Sequence, residues 1–241
     1  MCEEIPIYTR RITRIFQKLP APPSNIDVNL NVLNFWESNV YHHPLVGDIH
    51  LDEISPYCLK DEHNVIFENL YQGSKVYAHI EPQHEVKNIN GSPTVIWSSG
   101  PQDHVVDGHV RPSYWEWRQK LMKNPYAVRY PAGMHDRHKC LYALHWNHNQ
   151  QSWDTLDYIS SRKKIYCQNY ERLVKTTTAY KQLKELYDSG VALQICEMDV
   201  RDSMWCTRDS IRHELYNTNA PFGHGLCLAT CLMGYEELFY E

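Results

Sequence analysis

The sequence predicts an α+β fold, a single domain with helices around a small sheet, on three observations. The chain has 241 residues, 42% hydrophobic and 22% charged, enough apolar material for a proper globular core. Two stretches, Phe67–Ile80 and Arg162–Tyr187, read as helices. The short apolar run Val191–Cys196 follows a Ser189-Gly190 stop and reads as a buried strand.

In chain order, Ile12, Ile15, Phe16 and Leu19 alternate with Arg10, Arg11, Arg14 and Lys18, which predicts a short amphipathic helix over 1–19. Pro20, Pro22 and Pro23 stop it, and Ser24–Asn34 reads as a strand or extended lead-in, so that 1–34 forms an N-terminal entry to the domain. The Phe67–Ile80 helix is bounded by Pro82, and Gly73 weakens it by about 1 kcal/mol relative to Ala. Within the segment 78–160, CLYALHW (140–146) reads as a strand. Glu197 sits where the Val191–Cys196 strand enters a loop, a common place for chemistry.

No apolar run approaches the roughly 18 residues needed to span a bilayer, so no membrane partner is expected. MCEEIPIYTRR lacks the apolar core of a secretory signal, and eight Cys without such a signal are expected to be thiols. The expectation is a soluble, cytoplasmic protein of a reducing compartment.

The net charge of −5 conceals an asymmetry. Arg111–Lys139 carries seven Lys/Arg and two acids, Ser160–Lys184 seven and one, and the stretch from Glu185 onward three and ten. In the first segment the cations are interleaved with Tyr114, Trp115, Trp117, Tyr126 and Tyr130. Cations for phosphates and rings for bases are what a single-strand or flipped-base binder uses. Arg118, Lys120, Lys123, Trp115 and Trp117 are therefore the candidate nucleic-acid contacts, against the alternative of a solvated helix face that sends Trp into the core.

Two stretches carry the chemistry. In FENLYQGSKVY, Glu68, Gln72 and Lys75 fall at i, i+4 and i+7, one helical face. In ICEMDVRDSMW, Glu197, Asp202 and Trp205 follow a strand, and neighbouring carboxylates can split their pKa values into an acid and a base. Spacing alone equally describes exposed faces with weak ion pairs.

Together the two stretches resemble the NADAR, or YbiA-like, family. Its first motif is Ser-Pro followed by Glu-x-x-x-Gln-x-x-Lys, here Ser55-Pro56 and Glu68, Gln72, Lys75. Its later motif runs from a helical Lys through a Leu and Gly turn to Glu-x-x-x-x-Asp-x-x-Trp, here Lys175, Leu186, Gly190, Glu197, Asp202 and Trp205. The tail from Gly223 to Leu238 is similar as well. Cys206 stands where the family usually has Gly, and 78–160 has no counterpart, so it reads as an insertion or divergent segment of one 1–241 domain.

The resemblance implies cleavage of an N-glycosidic bond to ribose, by one of two branches: removal of ADP-ribose from guanine in DNA, or hydrolysis of a ribosylamino-pyrimidine of riboflavin synthesis. It implies Lys75 as the amine nucleophile, with Lys175 as second candidate or phosphate holder, and Glu68 or Asp202 as acid/base. Gln72, Tyr71, Ser55, Glu197 and Trp205 are implied as substrate-binding, with Trp205 stacking on the base. A lysine of lowered pKa can attack the anomeric carbon and a carboxylate can protonate the leaving base, so no cofactor is required. ADP-ribosylated nucleic acid or a small ribosyl-nucleobase is the expected partner, with no obligate protein partner. A non-catalytic binding module for ADP-ribose or nucleic acid is the remaining alternative. His135, His138, Cys140, His145 and His148 invite zinc, but they straddle the apolar 140–146 run rather than forming tight pairs on a turn, so no metal is expected.

Overall fold

The computed structural model describes residues 4–13, 18–33, 38–80, 86–89, 92–95, 102–132 and 135–241, with 86–89 and 92–95 described by backbone alone. The fold is α+β, with helices and several small sheets. The chain groups into two compact units, Met1–Leu59 with Cys167–Glu241, and Lys60–Tyr166. Among the described residues no helix is long and apolar enough to cross a membrane.

The first unit is organised on a four-stranded sheet. Ile7–Arg11 pairs in parallel with Leu193–Glu197 and antiparallel with Ser203–Cys206, and Val28–Asn31 pairs in parallel with the other side of Leu193–Glu197. The strand Leu193–Glu197 is buried along its whole length, as expected of a central parallel strand. The helix His224–Met233 is buried almost all round and packs on this sheet.

Two sequence expectations are corrected here. Ile7–Arg11 is a strand rather than part of an amphipathic helix, because Ile7 and Ile12 are buried and the backbone finds partners on two distant strands. The remainder of that expectation, at 14–17, lies outside the described residues. The expected long helix Arg162–Tyr187 is instead a π-helical turn Arg162–Cys167, a helix Gln168–Val174 and a helix Thr178–Asp188. Threonines break it: the Thr176 and Thr177 hydroxyls donate back to the Leu173 and Val174 carbonyls at 2.7 and 2.8 Å. Thr177 Oγ1 then accepts from the Tyr180 N–H at 3.1 Å, which starts the next helix.

The second unit holds an antiparallel sheet in which Cys140–Asn147 lies between Ser152–Leu156 and Lys75–Tyr77. The helices Phe67–Ser74 and Pro112–Met122 pack together beside it. Pro112 opens the second helix at its first turn, where a missing N–H costs nothing. Tyr114, Trp117 and Leu121 from that helix join Val76, Tyr77, Ile80, Val128 and Leu144 in the core.

The Phe67–Ile80 helix of the sequence reading ends at Ser74, and Lys75 begins a strand. The Ser74 hydroxyl turns back to the Tyr71 carbonyl at 2.7 Å, and Val76 and Tyr77 take up strand pairing with Cys140–Asn147.

Gly73 has a packing reason. A Cβ there would stand 2.9 Å from both Leu121 Cδ2 and Met122 Cε, so glycine lets the two helices approach. Gly73→Ala should gain helix propensity yet destabilise by a net of about 1 kcal/mol through overpacking, read as a lower urea midpoint.

His104 is fully buried among Tyr114 and Trp117, with ring centroids 5.7 and 5.1 Å away. Burial holds its pKa down, to about 4. The unfolded chain therefore binds a proton that the native unit refuses, and stability should fall as pH drops from about 6.5 towards 4. His104→Leu should remove that part of the acid sensitivity in melts at pH 7 and pH 4.5.

Candidate active site

The helix Phe67–Ser74 is fixed before its polar side chains are considered. Asn69 Nδ2 donates to the Asn124 and Tyr126 carbonyls at 3.3 and 3.0 Å, and its Oδ1 accepts from the Val128 N–H at 2.7 Å. Tyr114 Oη donates to the Gly73 carbonyl at 3.0 Å. Glu68 lies in the first turn, where the helix dipole favours a carboxylate.

On this scaffold Glu68, Gln72 and Lys75 form a hydrogen-bonded chain. Gln72 Nε2 donates to Glu68 Oε1 at 2.7 Å, which turns Gln72 Oε1 towards Lys75 Nζ at 2.9 Å. Glu68 and Gln72 are buried, and Lys75 is half-buried. Lys75 Nζ also lies 4.2 Å from the Tyr71 ring centroid, and Tyr71 is itself set edge-on against Tyr166 at 4.8 Å.

Burial lowers the Lys75 pKa; Glu68 and Cys140 pull it upward, while Arg129 and Arg137 push it further down. Those two guanidiniums stack on Tyr130 at 4.8 and 5.5 Å. Tyr130 has a φ of 56°, a conformation that costs a bulky residue energy. An amine whose pKa burial lowers, a carboxylate linked to it and neighbouring guanidiniums together suit nucleophilic attack on an anionic substrate.

The same unit has a groove of about 580 Å³ lined by Lys60, His63, Trp115, Arg118, Lys123 and Asn124, among others, with no carboxylate among its described lining residues. Three of the expected nucleic-acid contacts thus converge: Trp115, Arg118 and Lys123. Lys120 is exposed outside this lining. Trp117 is corrected: at 1% exposure it is core and offers no ring for stacking.

The other expected site residues belong to the first unit, and most have structural work. Lys175 is corrected as a nucleophile. It caps the Gln168–Val174 helix and is clamped by Glu171 at 2.8 Å and Glu236 at 2.6 Å. Burial opposes its charge, but the two carboxylates outweigh it and raise the pKa, so the amine stays protonated.

Glu197 is corrected from substrate contact to internal anchor. It is 1% exposed, and its oxygens meet the Gly225 N–H at 3.1 Å, the Asp199 N–H at 3.3 Å and His224 Nδ1 at 3.2 Å. Ser55 is fully buried, and its Oγ accepts from the Tyr57 N–H at 3.2 Å, which forms a local turn. Asp202 is open to solvent, 3.7 Å from Arg11. Trp205 is 41% exposed and leans on Tyr8 at 4.7 Å.

Sequence reasoning did not find Arg129, Arg137 or Cys140 around Lys75, nor His224 beside Glu197. Each lies far along the chain from the residue it meets, beyond intervening helices and strands, with no local spacing to reveal it. Among the described residues no group of three or more His, Cys, Asp and Glu is arranged to hold a metal ion. Comparison with known protein families, with characterised proteins and with solved structures finds no match to this chain.

Proposed function

We propose that this chain is an N-glycoside hydrolase that removes ADP-ribose from guanine in DNA, with Lys75 as the amine nucleophile and Glu68 as the acid/base. The observation that carries the reading is the Glu68–Gln72–Lys75 chain, in which burial lowers the lysine pKa and an amide links it to a buried carboxylate. The Lys75 lone pair bonds to the anomeric carbon, and the base leaves with the electrons of the broken bond and takes up a proton. The sugar ring opens to an imine on Lys75. Water adds to that imine, releases the sugar and restores the amine. Glu68 is the carboxyl group that protonates the leaving base, the amine gives its protons to solvent, and Gln72, whose amide passes no proton, holds Lys75 in place. Arg129 and Arg137 lie close enough to act on Lys75 and favour a substrate that carries phosphate, which fits ADP-ribose.

The test is incubation with ADP-ribosylated DNA and, in parallel, with a ribosylamino-pyrimidine, each with and without borohydride. Turnover of the DNA substrate, with a reduced adduct mapped to Lys75 by mass spectrometry, is expected. Turnover of the ribosylamine alone would overturn the DNA substrate. Inertness towards both, with no adduct, would overturn the hydrolase and leave a binding module.

A further inference from the structure

Beside the groove the second unit exposes rings that packing alone would hide. Trp146 and Trp153 are opposite each other on the paired strands Cys140–Asn147 and Ser152–Leu156, with centroids 5.3 Å apart. Trp115 lies 4.9 Å from Trp153, and Arg118 stacks on Trp153 at 5.0 Å. Trp153 remains 37% exposed, while Trp117, two residues from Trp115 on the same helix, is buried to 1%. Helical geometry separates i and i+2 by about 200°, so one indole serves the core and the other turns to the groove.

The cations are placed to match. Lys60, Arg118 and Lys123 line the groove that Trp115 shares, and Lys60 and Lys123 are exposed. Arg118 reaches the groove from a partly buried position in which its side chain hydrogen-bonds Tyr114. This concentration of positive charge stands on a chain whose net charge is −5.

We infer that the groove and the Trp115–Trp153–Trp146 cluster form a platform for an unpaired nucleic-acid strand, with phosphates held by Lys60, Arg118 and Lys123 and bases stacked on Trp153 and Trp146. Base stacking needs an open ring face, and a duplex keeps its bases inside, so the occupant is single-stranded. A neutral oligosaccharide would use the rings but gain nothing from three cations. The platform stands independently of turnover, because it binds unmodified strand.

The experiment is fluorescence anisotropy of the full chain with an unmodified, labelled oligothymidylate at several salt concentrations. Trp153→Ala should weaken binding about tenfold, and Trp153→Phe should keep most of the affinity. Lys60→Ala with Lys123→Ala should leave the melting temperature unchanged. That pair should flatten the log–log salt dependence by about 1.4, for two lost contacts on a single strand. Equal affinity for duplex, unchanged binding by all of these variants, or displacement by neutral oligosaccharide would overturn the inference. Inertness in the glycosidase assay with this binding pattern intact would sink the hydrolase and leave the platform standing.

Discussion

Lys75→Met should lower turnover of ADP-ribosylated DNA by about 10³-fold or more, because Lys75 is the amine at the end of the Glu68–Gln72 chain. Lys175 cannot substitute: two carboxylates hold it protonated. The wild-type rate should rise with pH through the lysine pKa, at a value below the ordinary 10.4 or so. The same group links pH to stability. Between the lowered native value and the ordinary one, the unfolded chain binds the extra proton, so wild-type stability should climb with pH across that window. Lys75→Met lacks that slope. A rate that survives Lys75→Met in a chain melting like wild type would remove Lys75 from the mechanism.

Glu197→Ala should destabilise by about 3–5 kcal/mol in urea titration, the range for breaking a buried pair. Both ring nitrogens of His224 face acceptors, Nδ1 the Glu197 carboxylate and Nε2 the Val32 carbonyl, so the ring is held as an imidazolium. Burial works against both charges. For Glu197, His224 and the Gly225 and Asp199 N–H groups outweigh it and depress the pKa; for His224, Glu197 outweighs it and raises the pKa. The contribution of the pair is therefore complete between about pH 4.3 and 6.5. It is lost as pH falls through the depressed Glu197 value, and again as pH rises through the raised His224 value. The stability difference between wild type and Glu197→Gln should peak in that window, and a difference larger at pH 8 than at pH 6 would refute the assignment. Gly223→Ala should damage the same anchor, because a Cβ there would meet the Glu197 oxygens at 2.4 and 2.7 Å.

Short-range relations were legible in the sequence and long-range ones were not. Glu68, Gln72 and Lys75 could be read as neighbours because one helical turn joins each to the next, and they do bond in series. That Lys75 leaves the helix depends on strand pairing with residues near Ala143, far along the chain. The roles of Lys175 and Glu197 turn on Glu236 and His224, which no spacing connects to them. The Trp115–Trp117 pair was closer to reach: a helix starting at Pro112 has to place them on opposite faces.

The sheet that joins Ile7–Arg11 to Leu193–Glu197 and Ser203–Cys206 also orders events during synthesis. Thr9 Oγ1 donates to the Met204 carbonyl, 195 residues away. At about 5–20 residues per second the ribosome needs roughly 10–40 s to supply that partner. The unit Lys60–Tyr166 emerges entire within this interval and can close its own core. Meanwhile the strand Ile7–Arg11 waits with both edges unpaired, the condition under which chains join one another.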